Sequence, residues 1–443
     1  MFEISEHCAK IITRPVGEAV QHIALSRRHS RVRFPYRLPL TTNSRKGVFV
    51  LKKKAGIYYN YVKEERNIIV ERYFGEKTPK LGFGLMRLPK LEDGSIDVEQ
   101  TKTMVDMFLK AGLTYFDTAY VYDNGESEKT AKVALVDRYP RDSFTLATKL
   151  NGAMGKPTVE QAKAQLYTSL ERTGAGYFDY YLLHAVQENN YKTYEEYGLW
   201  DYVREAKEKG LIKHWGFSFH ATPELLDQLL TEHPDAEFVQ LQINYADWDN
   251  PNVQSRRCLE VARKHGKSVV VMEPVKGGML ANPVKEIQDV FREADPEASF
   301  ASWAIRFVAS QDGILTVLSG MSNIEQMADN TSYMSDFKPL SEEEMKVIEK
   351  VQDIYKNINT IPCTACHYCT EGCPMGIPIP DIFRVRNNQM LQSDDPKARE
   401  RYERVTLDKG KASDCIQCGQ CESVCPQHIN IIERLIDCAE NLE

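Results

Sequence analysis

Two copies of one cysteine run constrain what this chain can fold into more than any other feature. Cys363, Cys366, Cys369 and Cys373 are spaced C-x2-C-x2-C-x3-C and followed by Pro374; Cys415, Cys418, Cys421 and Cys425 repeat the spacing and are followed by Pro426. Two-residue spacings let one tight loop present three thiolates to the corners of an iron–sulfur cubane, while the fourth cysteine lies too far along the loop and ligates the other cluster. The expected sets are therefore Cys363, Cys366, Cys369 with Cys425, and Cys415, Cys418, Cys421 with Cys373, which predicts two 4Fe–4S clusters. Structural zinc usually takes two separated pairs of ligands, not a run of four with a trailing proline. A disulfide framework needs an oxidising compartment, and no signal peptide supports one. Of the 11 cysteines, Cys8, Cys258 and Cys438 are single and read as inert.

The 41 residues between the runs, 374–414, are more than a small bacterial ferredoxin allows, and they include polar, helix-like stretches at 381–392 and 396–405. The arrangement resembles the all-α ferredoxin module of multi-subunit reductases, in which helices separate two cluster loops. Upstream, Ser341 with Glu344 reads as a capping box, followed by Met345, Ile348, Val351 and Tyr355 on one apolar face. This helix is expected to end the preceding domain or to bridge the two. Residues 341–443 are assigned to a mostly α-helical ferredoxin-type domain.

Residues 70–340 alternate short apolar runs with amphipathic segments. Strands are expected at 80–87, 114–119, 144–150, 178–184, 212–219, 238–244, 268–274 and 314–320, with helices such as 98–110, 159–172, 223–230 and 253–265 between them. Runs such as SVVVM at 268–272 lack period-two alternation, as strands buried on both faces should. Eight strands, each followed by a helix, over about 250 residues fit a (β/α)8 TIM barrel. A doubly wound open sheet is the alternative, but no G-x-G-x-x-G follows the first strand. In a barrel the chemistry sits at the C-terminal ends of the strands. Polar residues stand there: Asp117 with Tyr122 five residues on, Lys149 in LATKL, and His184 in YYLLH.

These residues carry a resemblance to the aldo/keto reductase family that covers about 260 residues. F-D-T-A-x-x-Y, the strand-three lysine and L-L-H are signatures of that family in order, and LGFGLMRLP, WGFSFH and VQLQINY are similar to its first, fifth and sixth strands. The resemblance implies a nicotinamide-dependent carbonyl reductase, which in reverse oxidises an alcohol, with Tyr122 as general acid, Lys149 and Asp117 as its activating pair and His184 orienting the substrate. Hydride delivery to a carbonyl carbon leaves a developing alkoxide that must be protonated. A tyrosine of pKa about 10 is a weak acid for this unassisted, and a neighbouring ammonium should lower its pKa. For the cofactor, the resemblance implies Ser218 and Gln242 at the nicotinamide amide, Gly84 in the loop after strand one, and Ser322, Gln326 and Asn330 at the adenosine end. Phe219 stands where the family usually has Asn, Met272 where an aromatic commonly stacks, and Gly320 and Gln326 where Lys and Arg commonly pair the 2′-phosphate. NADP is the expected cofactor, and the residues allow NAD.

The charge is unevenly spread. The chain holds 56 Lys+Arg against 63 Asp+Glu, a net charge of −7, yet residues 1–69 hold 14 against 5 and no Asp, leaving 42 against 58 in the rest. This basic N-terminal extension admits three readings: a nucleic-acid or membrane-binding arm, an organellar transit peptide, or residues upstream of the true start. The third is favoured. The expected barrel begins just after Val70, which GTG can encode as a start, and KEER at 63–66 can be encoded by a purine-rich ribosome-binding sequence. The mild overall acidity argues against nucleic acid as a partner, and no apolar run approaches the roughly 20 residues of a membrane span. The expectation is a cytoplasmic oxidoreductase acting on a small carbonyl or alcohol substrate, its clusters serving electron transfer with a redox partner protein. The alternative is an iron–sulfur electron-transfer protein whose barrel has little or altered reductase activity.

Overall fold

The structure, a computed structural model, describes residues 78–443 except 359 and 392–396, together with three strands upstream. Those strands, β1 (Thr42–Asn43), β2 (Val48–Lys53) and β3 (Gly56–Tyr61), pair antiparallel in the order β1-β2-β3 within a unit that spans Met1–Glu65. Beyond these strands, the expectations for residues 1–69 lie outside the described residues.

The second unit, Arg66–Glu443, contains a closed parallel barrel of eight strands. In chain order these are β4 (Leu81–Gly84), β5 (Tyr115–Asp117), β6 (Thr145–Leu150), β7 (Phe178–Val186), β8 (Ile212–Phe219), β9 (Phe238–Gln242), β10 (Ser268–Met272) and β11 (Ile314–Ser319). Each strand pairs with its sequence neighbours, and β11 closes on β4 through Val317–Leu81 and Ser319–Phe83. Closure removes the sheet edges that would otherwise recruit another chain. The strands read as continuous apolar runs because both faces are covered: every residue of β7 and of β9 is buried. Inside the barrel Tyr115, Ala147, Tyr180, Leu182, Phe238 and Val270 pack together, with the Tyr115 and Tyr180 rings 5.1 Å apart and those of Tyr180 and Phe238 5.2 Å apart. The helices form the outer layer. Val98–Lys110 is capped by the Asp97 side chain, and Val159–Thr173 opens on a Thr158–Gln161 capping box.

The expected capping box at Ser341 and Glu344 is present and opens the helix Glu342–Tyr355. Ile348 and Val351 of this helix are fully buried in the barrel core, and Tyr355 packs against Tyr245 with rings 5.9 Å apart. After it comes a helical module. Its main helices, Ile379–Leu391, Ala398–Val405 and Ile431–Leu442, enclose a separate small core that includes Ile361, Ile382, Phe383, Tyr402 and Leu435.

The module lies across the C-terminal mouth of the barrel, the end at which the strands deliver their polar residues. Arg87, just past β4, donates 2.6 and 3.3 Å hydrogen bonds to the carbonyls of Thr364 and Ala365. Asn189, past β7, donates to the Ser423 carbonyl at 2.6 Å, and His428 donates to the His220 carbonyl at 3.0 Å. Gly277, past β10, is held at φ +63, and a Cβ there would stand 2.4 Å from the Thr364 carbonyl oxygen. Only glycine meets both demands at that approach.

Candidate functional site

Period-two alternation sends one set of side chains from the strands into the barrel. Tyr115, Ala147 and Tyr180 lie in its inner core, so Asp117, Lys149 and His184 follow on the same face, one or two positions nearer the mouth. The four residues singled out for catalysis lie together. Lys149 is fully buried; its Nζ donates to Asp117 Oδ1 at 2.5 Å, to the Thr118 carbonyl at 2.7 Å and to the Tyr122 hydroxyl at 3.3 Å. The Tyr122 and His184 rings meet edge-on with centroids 5.7 Å apart. Tyr122 begins the short turn Tyr122–Gly125, in which Asp123, Asn124 and Gly125 all take positive φ. His184 precedes a bulge at Ala185, whose φ is +54. Three side chains hold that bulge: Ser218 Oγ accepts from the Ala185 N–H at 2.7 Å, Asn190 donates to the Ala185 carbonyl at 2.8 Å, and the Tyr194 hydroxyl donates to the His184 carbonyl.

Burial dominates the electrostatics. It pushes Lys149 down and Asp117 up, and the attraction of the two charges opposes both shifts. It pushes Tyr122 well above its ordinary range, reinforced by the negative charges of Asp117 and Glu273. The sequence-based expectation was a downward shift from Lys149; the structure gives the opposite because the lysine charge is matched by Asp117 and the phenol is out of water. His184 is held well below its ordinary value by burial, then by the Lys149 and His220 charges, and its Nδ1 has no hydrogen-bond partner among the described residues.

A cleft of about 300 Å³ runs from Asp117 and Tyr122 past Met272 and Glu273 to Ser322, Gln326 and Asn330. Of the residues expected to hold a cofactor, Gly84, Ser322, Gln326 and Asn330 line it, whereas Ser218 and Gln242 do not. Ser218 Oγ accepts the Ala185 N–H of the bulge. Gln242 sits one level nearer the mouth, where it exchanges 2.9 and 2.7 Å hydrogen bonds with Gln427 of the module and donates to Asp247 at 2.9 Å. Gln240, two residues earlier on the same inward face, lines the cleft instead and contacts Asp117 at 3.3 Å. Glu273 also lines it, at φ +56; burial raises its carboxyl while Arg87, 3.5 Å away, opposes that.

The eight cysteines fall into two cavities. Cys363, Cys366, Cys369 and Cys425 line one, and Cys373, Cys415, Cys418 and Cys421 line the other, so each draws three thiols from one run and one from the other. Burial raises Cys421 and Cys363 to about 11 and Cys366 to about 12, and neighbouring thiols add to each shift. Backbone N–H groups already point at sulfur, with Ala365 donating to Cys363 Sγ at 3.4 Å. Four crowded thiols that resist ionisation suit a cationic core that compensates their charge, and all-sulfur sets select iron–sulfur clusters or zinc.

Several participants carry no local signal in the sequence. Arg87, Glu273 and Gln427 follow no motif. Tyr368 stands inside the first cysteine run, yet its hydroxyl lies 3.5 Å from His184 Nε2.

The aldo/keto reductase family model matches residues 80–353, and a 4Fe-4S dicluster domain model matches residues 362–430. The uncharacterized oxidoreductase YqkF of Bacillus subtilis is 25% identical over 297 residues, which is 59% of this chain and 92% of its own. An aldo-keto reductase of Mycolicibacterium smegmatis is 29% identical over 214 residues, 47% of this chain and 69% of its own. The solved holo form of aldo-keto reductase AKR11C1 from Bacillus halodurans superposes with a TM-score of 0.50 at 25% identity, covering 61% of this chain and 91% of that one. An aldo/keto reductase of Klebsiella pneumoniae, solved with NADP and acetate, shares the fold with a TM-score of 0.50 at 20% identity, covering 62% and 92%.

The neutral state of His184 has a consequence for stability. Below pH 6.5 the unfolded chain protonates this imidazole while the folded protein does not, so its contribution is whole above pH 6.5 and is lost as the pH falls below it. Between pH 7.5 and 5.5 that loss is about 1.4 kcal/mol. Denaturant unfolding of the wild type and His184→Gln at both pH values should show a smaller loss in the variant by about this amount. Equal losses would mean that His184 titrates normally when folded.

Proposed function

The chain belongs to the aldo/keto reductase family, and from that premise we propose that it reduces a small carbonyl compound, or oxidises the corresponding alcohol, with NADP in the barrel cleft. In the same proposal, the C-terminal module holds two 4Fe–4S clusters that exchange electrons with a redox partner protein. The observation that carries the barrel reading is the buried Asp117–Lys149–Tyr122 chain, with His184 beside it, at one end of the cleft of about 300 Å³.

A nicotinamide bound in the cleft would supply the hydride. The protein's own residues handle the oxygen. Tyr122, with its raised pKa, keeps its proton until charge develops; an alkoxide, with a conjugate acid near the 15.7 of water, takes it readily even so. Lys149, 3.3 Å from the phenol oxygen, stabilises the phenolate that remains, and Asp117 keeps the ammonium charged and fixed. Neutral His184 offers an N–H to the same oxygen. Gly84, Ser322, Gln326 and Asn330 would hold the cofactor, with Gln240 in addition. At the adenosine end, Gln326 and Gly320 leave the 2′-phosphate without the arginine fork that gives the strongest pairing. Arg87 passes beside Gly320, but its guanidinium is engaged by Glu273 and the Thr364 carbonyl.

For the module, the supporting observation is the crossed grouping of the cysteines. The Cys363 group rests on the barrel mouth. The other group looks outward: Cys418 is exposed, and Ile416 and Met375, which line the same cavity, expose 60% and 39% of their surface. Apolar surface beside a cluster is where an electron-transfer partner would dock. Clusters carry single electrons and hydride carries two, so the reading assigns the module and the carbonyl chemistry separate partners. The second reading, an electron-transfer protein whose barrel has changed its role, is favoured by one observation, the capture of Gln242 by Gln427.

Tyr122→Phe separates the two. Carbonyl turnover should fall at least about 100-fold while cluster reduction by partners persists; turnover unchanged would remove the tetrad assignment. NADPH and NADH should differ in KM by less than about tenfold, since a charged arginine–phosphate bond is worth about 1.5–3 kcal/mol; a strong NADPH preference would place a cation on the 2′-phosphate. Anaerobically purified protein should carry about eight irons per chain and Cys425→Ser about four. A wild-type count near four would sink the two-cluster proposal.

A further inference from the structure

Tyr368 belongs to the module by sequence and to the barrel by position. It lies between Cys366 and Cys369 and opens the short helix Tyr368–Glu371, and His367 before it is turned to φ +64. That turn aims the side chain away from the cysteine cavity and down into the barrel mouth. Its hydroxyl is 3.5 Å from His184 Nε2, its ring meets the His184 ring edge-on at 6.3 Å, and it stands near enough to the Tyr122 phenol to hold that group's pKa down slightly against burial.

The place this hydroxyl occupies is defined by the chemistry. A carbonyl oxygen protonated by Tyr122 and hydrogen-bonded by His184 must lie within reach of both groups at once. The Tyr368 hydroxyl already stands beside His184 Nε2 in that region, and a substrate oxygen cannot enter while it is there. The backbone behind the phenol is fastened as well. Arg87 holds the Thr364 and Ala365 carbonyls, and Gly277 packs against Thr364. A substrate therefore has to turn the side chain aside rather than lift the loop.

We propose that Tyr368 is a specificity-determining residue of the carbonyl site, its phenol acting as an internal ligand that holds the substrate oxygen's position until a carbonyl compound displaces it. The inference rests on the carbonyl-reductase reading above. The phenol leaves behind a flat space with hydrogen-bonding groups at one end, so an aromatic aldehyde, which carries a ring and an oxygen in the same relation, is the class best able to replace it. Aliphatic ketones replace the hydrogen bonds without refilling the space of the ring.

The test is equilibrium binding of benzaldehyde to the NADP⁺-loaded holoprotein, a pair that cannot react, followed by steady-state reduction of benzaldehyde with NADPH. Tyr368→Ala should tighten benzaldehyde binding at least about tenfold and lower KM in step, with kcat within about threefold of wild type and with the NADP⁺ affinity and iron content unchanged. Tyr368→Phe keeps the ring and loses the hydroxyl, and should give a smaller gain in the same direction. Unchanged or weakened benzaldehyde binding in Tyr368→Ala with full iron content overturns the proposal. Should Tyr368→Ala lose iron, Tyr368→Phe decides alone, and no gain in its binding overturns the proposal equally. If binding tightens in the variants while neither they nor the wild type reduce any carbonyl, the internal-ligand assignment stands and the carbonyl-reductase reading falls.

Discussion

A closed parallel barrel allows its strands one inward face, and the site depends on that constraint. With eight strands side by side and successive residues pointing to opposite faces, the polar groups near the strand ends have a single interior to enter. Asp117, Lys149 and His184 share it from three adjacent strands, and an ammonium that would be intolerable alone in that interior is matched by the neighbouring carboxylate. The loop that carries Tyr122 has only to be pinned above them, which its run of positive-φ residues does. The same geometry makes the mouth a surface rich in partly satisfied polar groups, and the module covers it through side-chain amides, an arginine and backbone carbonyls.

Much of the architecture was legible in the sequence. Each barrel strand lies within a residue or two of an expected apolar run or shorter than it, because buried parallel strands and their capped helices are specified locally. The Ser341–Glu344 box and the helix Val98–Lys110 are examples in which spacing alone sets an element. The grouping of Cys425 with the first run and Cys373 with the second follows likewise from reach along a loop.

What was not legible depends on contacts between segments far apart in sequence. Gln240 and Gln242 share an inward face, yet Gln240 lines the cleft while Gln242 is engaged by Asp247 and by Gln427, 185 residues away. Ser218 also supports the bulge at Ala185, a demand that its place on the strand does not announce. The upward shift at Tyr122 reflects the loss of water around a phenol, a quantity that spacing does not encode. Tyr368 is hidden for the same reason: within its run it reads as filler between two cysteines.

The helix Glu342–Tyr355 bears on any attempt to take the protein apart. Cysteine content changes abruptly after it, yet Ile348 and Val351 are buried within the barrel's core and Tyr355 packs on Tyr245. A truncation designed to isolate the barrel has to keep this helix and cut beyond Tyr355. Even then it would uncover Arg87, Gln242 and the backbone around Gly277, so a free-standing barrel and the barrel inside this chain are not chemically equivalent objects.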